Sequence, residues 1–277
     1  MFTVPNTNHL SPQLQLQIIQ NQPIRMRISY FLKSHPKILQ DHRIVGNWIK
    51  QGLVEVNGLI VKKNVRLNPN RSIVRIYLQE EWWDLPYINP DKQVVLFAKP
   101  RGYLCTHYDP FNRPIIYNLL PEELRQFRSA GRLDQDSEGL LVLSNDGYFI
   151  SDLCEPVYNC TKVYLVGLLQ PLIEEFFVQA TTGEFVIIHE KKPTKLLPCE
   201  VTLTKDALRE YSYLDFEKNY YWYQFNLHEG KTNQIRQMCQ QFDNPVQRLI
   251  RVKQGDFEMT QELWSKKIIL YPSIHKL

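Results

Sequence analysis

A chain of 277 residues with 43% hydrophobic and 12% aromatic side chains and a formal net charge of +4 is long enough for one large core, or for a medium core with an added module. No apolar run approaches the roughly 18 residues of a membrane-spanning helix. The five cysteines (Cys105, Cys154, Cys160, Cys199, Cys239) are odd in number, scattered and without C-x-x-C spacing, which points to free thiols in a reducing cytoplasm rather than to disulfides or a zinc site.

In chain order, the first 22 residues hold no Lys or Arg and no sustained apolar segment; a Gln- and Asn-rich extension is expected there, not a signal or transit peptide. Residues 24–78 then carry eleven basic residues against two acidic ones, a balance of +9 that leaves −5 for the rest. A basic module on a mildly acidic body fits a nucleic-acid-binding attachment. Within it, "MRISYFLKSH" predicts a short helix and "HRIVGNWIKQG" a second one closed by Gly52. "LVEVNGLIV" predicts two strands around an Asn57-Gly58 turn, and "SIVRIYL" a further strand. This helix pair and the "QGLVEVNG" hairpin resemble the S-four type RNA-binding domain, assigned to residues 23–78, although "LQDHR" departs from the usual Ser-Arg-Arg at the second helix. Residues 79–92, with two prolines and the paired Trp82 and Trp83, are expected to link the module to a body spanning 93–277.

The body opens with a strand, Val94 to Ala98, that ends in Lys99-Pro100-Arg101-Gly102, so basic groups sit where a loop can meet a ligand. A short helix is predicted after Pro121. "AGRLDQDSEGLLVLSNDG" then sets a polar loop, Gly131 to Glu138, before an apolar strand, Gly139 to Ser144, and a turn at Asn145-Asp146-Gly147. "TKVYLVGLL" alternates as a strand with Lys162 and Tyr164 on one face. "WYQFNLHEGKTNQIRQMCQQF" predicts a strand, a Glu229-Gly230 turn and a helix capped by Thr232, with Asn233, Arg236 and Gln240 on one polar face. "VQRLIRV" is expected to be the last core strand. Strands and helices do not alternate in βαβ fashion, so the fold class is α+β, with a mixed, largely antiparallel sheet.

Four ordered motifs now carry a resemblance. "GRLDQDSEGLLVLSNDG" is similar to the "GRLDxDxxGLLLLTNDG" signature of pseudouridine synthases, in particular the branch acting on ribosomal RNA, and "KPRGYLCT", "KVY" and "EGKTNQIRQM" follow the same family in order. The resemblance implies an isomerase that breaks the bond from uracil nitrogen to ribose and rejoins the base through carbon, with no cofactor and no metal. It implies that Asp134 is the catalytic carboxylate, which stabilises, attacks or deprotonates the sugar-like intermediate. Arg236 is expected to pair with Asp134 and keep it ionised, and Tyr164 to lie against the target uracil. Lys162 is expected to support Tyr164 or contact phosphate, and Arg132, Lys99, Arg101 and Gln234 to contact RNA or buttress the loop. Asp136 is read as capping or solvated. The expected partner is RNA, ribosomal RNA ahead of transfer RNA, bound by a monomer with its target base flipped out. The competing readings are a non-catalytic RNA-binding assembly factor and a glycoside hydrolase using Asp134 and Asp136. Gln237 stands where the family often has a second Arg.

Overall fold

The computed structural model describes residues 26–35, 38, 42–69, 72–87, 92–154, 160–204 and 206–272. The expected N-terminal extension lies outside them, as do Arg25, Lys37 and Arg71 of the basic tally. The chain divides into two compact units, Met1–Asp91 and Lys92–Leu277.

The first unit runs β1 (Met26–Arg27), α1 (Ile28–Ser34), α2 (His42–Gln51), β2 (Val54–Val56), β3 (Leu59–Ile60), β4 (Arg66–Leu67), β5 (Val74–Leu78) and β6 (Glu81–Asp84). Ile28, Phe31 and Leu32 recur at i, i+3 and i+4 and Val45 and Ile49 at i and i+4, so each helix buries one stripe with Val54, Val56 and Ile76 of the sheet. That sheet has the order β3-β2-β5-β6. Asn57 and Gly58 both take positive φ, 53° and 83°, as a two-residue primed turn requires. The Asn57 side chain also accepts from Ile73 N at 2.7 Å, tying the hairpin tip to the approach to β5. Residues 81–84, expected as linker, are instead the strand paired with β5. Its Trp82 ring lies 5.4 Å from Tyr77 and under the Arg75 guanidinium. Arg27, Lys50, Lys62, Lys63 and Arg66 are exposed.

The second unit is built on β7 (Gln93–Lys99), β8 (Arg128–Ser129), β9 (Glu138–Ser144), β10 (Lys162–Leu168), β13 (Glu200–Leu203), β14 (Tyr221–Leu227), β15 (Arg248–Gln254), β16 (Phe257–Glu258) and β17 (Ile268–Pro272). These nine strands form one sheet in the order β13-β14-β10-β15-β9-β7-β17, with β8 on β9 and β16 on β15. A separate hairpin joins β11 (Val186–His189) to β12 (Lys192–Lys195). The helices are α3 (Gly147–Cys154), α4 (Glu174–Thr182), α5 (Asp206–Glu210), α6 (Gln234–Gln240) and α7 (Gln261–Lys266).

The apolar run Leu140 to Leu143 follows from a sheet covered on both faces. Leu141 and Leu143 pack with Val95, Phe97, Ile116 and Phe127. Leu140 and Val142 pack with Leu96, Ala98, Leu214 and Trp222 on the other side. Every pairing in this sheet is antiparallel except β9 with β15, which run parallel through Ile250↔Glu138 and Arg251↔Gly139. Gly139 makes that joint possible: its φ is 107° and a Cβ there would run into the Arg251 backbone.

The short helix expected after Pro121 is present as a 3-10 turn, Glu122–Leu124. Two local expectations need correction. Asn145 to Gly147 is not a free turn, because Asp146 Oδ1 accepts from Tyr148 N and Phe149 N at 2.9 and 3.2 Å and so starts α3. β15 is not the last core strand, since β17 returns to pair with β7 at the sheet edge.

Candidate active site

The loop from Ala130 to Ser137 joins β8 to β9, and nearly all that fixes it comes from distant parts of the chain. Lys99, the last residue of β7, is fully buried. Its ammonium lies beneath the loop, donating to the carbonyls of Ser137 (2.6 Å), Asp134 (3.1 Å) and Gln135 (3.3 Å), and to Pro100 O at 3.1 Å. Gly102 N donates to Gln135 O and Ser137 N to Asp134 O. From β15, Gln254 Nε2 donates to Ala130 O at 3.0 Å and the buried Arg251 Nε to Leu140 O at 2.8 Å. The backbone groups of a buried loop need partners, and here buried cations and amides supply them. Of the two roles expected of Lys99, contacting RNA or buttressing the loop, its burial and its bonds to the loop carbonyls fit the second.

The loop holds Asp134 half-buried on the wall of a cleft of about 770 Å³, within the ~300–1,000 Å³ range of small-ligand sites. The walls are residues 104–113 in part, Arg132 to Asp136, and Asn233, Arg236, Gln237 and Gln240. The expected polar face of α6 thus meets the expected loop. The residue that touches the carboxylate is Asn233. Its amide nitrogen faces Asp134 and donates to Oδ2 at 2.9 Å and Oδ1 at 3.1 Å; the reverse orientation would set two acceptors against each other. Asn233 stands immediately before α6 with φ 51° and ψ 31°, a left-handed conformation that Asn tolerates better than most residues. Thr232, expected to cap this helix, instead meets His189 of β11 at 3.1 Å through its hydroxyl.

Arg236 forms no ion pair with Asp134 within 4.0 Å among the described residues. Its Nη2 donates to Asp136 O at 2.9 Å and Ser137 Oγ at 3.4 Å, and its Nη1 to Val246 O at 3.3 Å. The expected pairing is corrected to a charge held nearby that braces the same loop. Burial pushes the Asp134 carboxyl above its ordinary range, while Arg236, Arg132 and Lys99 pull it back and Asp136 opposes them. Burial also lowers the Arg236 pKa, against the pull of Asp134 and Asp136.

The remaining residues separate by depth. Tyr164 is 8% exposed and does not line the cleft; it packs in the core that contains Leu133 and Ile235, beneath the wall rather than on it. Lys162, expected to support Tyr164 or contact phosphate, is buried, donates to Cys160 O at 3.3 Å and has its pKa lowered by that burial. Gln234 is buried as well. Its amide donates to Glu229 Oε1 at 3.2 Å and accepts from Lys231 N at 3.1 Å, so it organises the turn before α6. Arg132 is exposed in the cleft wall. Arg101 is exposed, 3.7 Å from the Asp136 carboxylate, and Asp136 is itself exposed, the solvated one of the two roles expected for it. Gln237 uses its side chain to accept from Ile188 N and donate to Ile188 O, tying α6 to β11. Among the described residues, no group of three or more His, Cys, Asp or Glu side chains could hold a metal ion.

Asn233, Arg251 and Gln254 had no role assigned from sequence. For the last two a signal existed: polar side chains recur among the apolar ones of the strand "RLIRVKQ", and burying such groups is costly unless hydrogen bonds offset it, as the Arg251 Nε and Gln254 Nε2 bonds do.

Residues 93–241 match the family described as RNA pseudouridylate synthase. The chain belongs to that family. It is 30% identical over 239 residues to ribosomal small subunit pseudouridine synthase A of Pasteurella multocida (strain Pm70), covering 86% of this chain and 92% of the relative. It is 29% identical to ribosomal large subunit pseudouridine synthase B of Yersinia pestis, over 78% of this chain and 63% of that one. A crystal structure of a pseudouridylate synthase superposes with a TM-score of 0.53 at 26% identity, covering 89% of this chain and 96% of the other. A pseudouridine synthase is an isomerase, so the glycoside hydrolase reading falls, and the mixed α+β fold is the one this family carries.

Proposed function

We propose that this pseudouridine synthase acts on ribosomal RNA and that Asp134 is its reacting carboxylate. The observation that carries the proposal is a half-buried Asp134 on a cleft wall, gripped by the Asn233 amide and set on a loop braced by Lys99. The relatives named for the small and the large ribosomal subunit support ribosomal RNA as the substrate class. The exposed basic residues of the first unit, with its helix pair and Asn57-Gly58 hairpin, support its reading as an S-four-like RNA-binding module. Five free thiols support action in a reducing cytoplasm.

The reaction balances without any co-reactant. The bond from ribose C1′ to N1 breaks, a bond from C1′ to C5 forms, the C5 hydrogen leaves as a proton, and N1, which bears no hydrogen in uridine, takes one up. Charge at C1′ is transiently positive, and a carboxylate at that point stabilises it, adds to it or takes the proton. Asn233 fixes the direction of the carboxylate, and Arg236 and Arg132 favour its ionised form against burial. Leu133, beside Asp134 in the loop, belongs to the same buried apolar cluster as Tyr164. The target uridine must leave its stack to enter the cleft.

The test uses transcripts of small- and large-subunit ribosomal RNA labelled with tritium at uridine C5. Wild-type enzyme releases tritium to water from one transcript without changing its mass, and Asp134→Asn binds that RNA and releases none. Binding without release by the wild type would favour an RNA-binding assembly factor, and free uracil would overturn the isomerisation.

A further inference from the structure

Residues 104–113 form the part of the cleft wall that no role above explains. The loop is closed at its base, where Leu104 N donates to Pro114 O and Ile116 N to Leu104 O. Thr106 Oγ1 donates to Tyr108 O at 2.8 Å and accepts from Tyr108 N at 3.3 Å. Asp109 is nearly buried and accepts from Phe111 N, from Arg113 N and from the Arg113 guanidinium, the last at 2.6 Å. His107 meets Arg125 O at 3.1 Å and stacks on Tyr117 with centroids 3.6 Å apart. The Arg113 bonds hold the Asp109 carboxyl down at about 2, so this knot persists at any physiological pH.

Between these ties stand two rings in water, Tyr108 at 75% and Phe111 at 77% exposure. A slack loop would fold such rings onto the nearest apolar surface, since burying each is favourable. This loop is knotted so that they stay out. Their neighbours Thr106, Asp109, Asn112 and Arg113 are polar, so the rings do not form the contiguous apolar patch that a protein partner covers. Arg132, exposed in the same cleft, makes no ion pair among the described residues.

We propose that Tyr108 and Phe111 form a stacking platform for unpaired nucleobases flanking the target uridine, with Tyr108 in the cleft wall and Phe111 outside it. The inference rests on the cleft being the RNA site. Every nucleobase offers a π-face, so a platform of this kind takes single-stranded RNA with little demand on sequence. Arg113, 5.4 Å from the Phe111 ring, keeps that ring oriented, and Arg132 is the nearby cation for a phosphate.

The experiment measures tritium release from the same two transcripts by full-length wild type, Tyr108→Ala, Phe111→Ala and the aromatic swaps Tyr108→Phe and Phe111→Tyr. Loss of one stacking ring is expected to raise KM roughly tenfold, with the effect on kcat several-fold smaller, while the aromatic swaps stay close to wild type. Melting temperatures should not move, because both rings are exposed. A wild type that turns over, beside alanine variants with unaltered KM, overturns the platform and leaves the function standing. A wild type inactive on both transcripts overturns the function and the platform with it.

Discussion

Beneath the Asp134 loop, Lys99 and Arg251 are buried on backbone carbonyls. Beside it, Arg101 and Arg132 are exposed, and Arg101 meets a surface aspartate at 3.7 Å and the Gln247 carbonyl at 3.5 Å. In the sequence Lys99, Arg101 and Arg132 are basic residues in motifs and Arg251 a basic residue in a strand, yet depth divides their work. Lys99 gives the loop its shape and Arg251 serves the strand that follows it, because a buried carbonyl without a donor is costly. Cations above are left for a polyanion, because exposed pairs contribute little to folding. Asn233 belongs to neither group and stands at the boundary, on the carboxylate itself.

The sharpest way to break that division is to exchange depth for charge. Lys99→Met leaves four carbonyls without their shared donor. It should lower stability by about 3 kcal/mol or more, seen as a fall in Tm of several degrees together with loss of turnover, whereas Arg101→Ala should stay within about 0.5 kcal/mol of wild type. Equal melting points for the two variants would contradict the division.

A smaller effect is expected at Asn233. Its two hydrogen bonds favour ionised Asp134, so they hold down a pKa that burial raises. Asn233→Ala removes them and the pKa rises further. A reaction that needs the carboxylate then has the acid limb of its kcat/KM profile moved to higher pH, with activity recovering as pH rises. An acid limb that does not move would remove Asn233 from the account. Smallest is Arg132→Ala, which should raise KM a few-fold and reduce the salt dependence of RNA binding by about one ion, with Tm unchanged.

Much of the frame was legible in the sequence because its signals are local. Asn57-Gly58 demands its turn, and the apolar run Leu140 to Leu143 demands a doubly covered strand. The polar face Asn233, Arg236 and Gln240 reaches the same cleft as Asp134. What stayed hidden depends on partners far away. Lys99 finds Asp134 O across 35 positions and Arg251 finds Leu140 O across 111, and a basic residue at a strand end reads the same whether it is solvated or buried on carbonyls. Thr232 has the chemistry of a cap, but His189, 43 positions away, takes its hydroxyl and leaves Asn233 free to face the carboxylate. Asp146 read as part of a turn because Asn-Asp-Gly is turn chemistry, although the same carboxylate also starts a helix.

The most direct measurement of the central claim is carbodiimide-based pseudouridine mapping of ribosomal RNA from cells carrying the intact gene, a deletion, or Asp134→Asn. The account predicts one uridine that loses its mark in both altered strains and regains it when the intact gene is restored. A full set of marks in the Asp134→Asn strain would contradict the role given to this carboxylate.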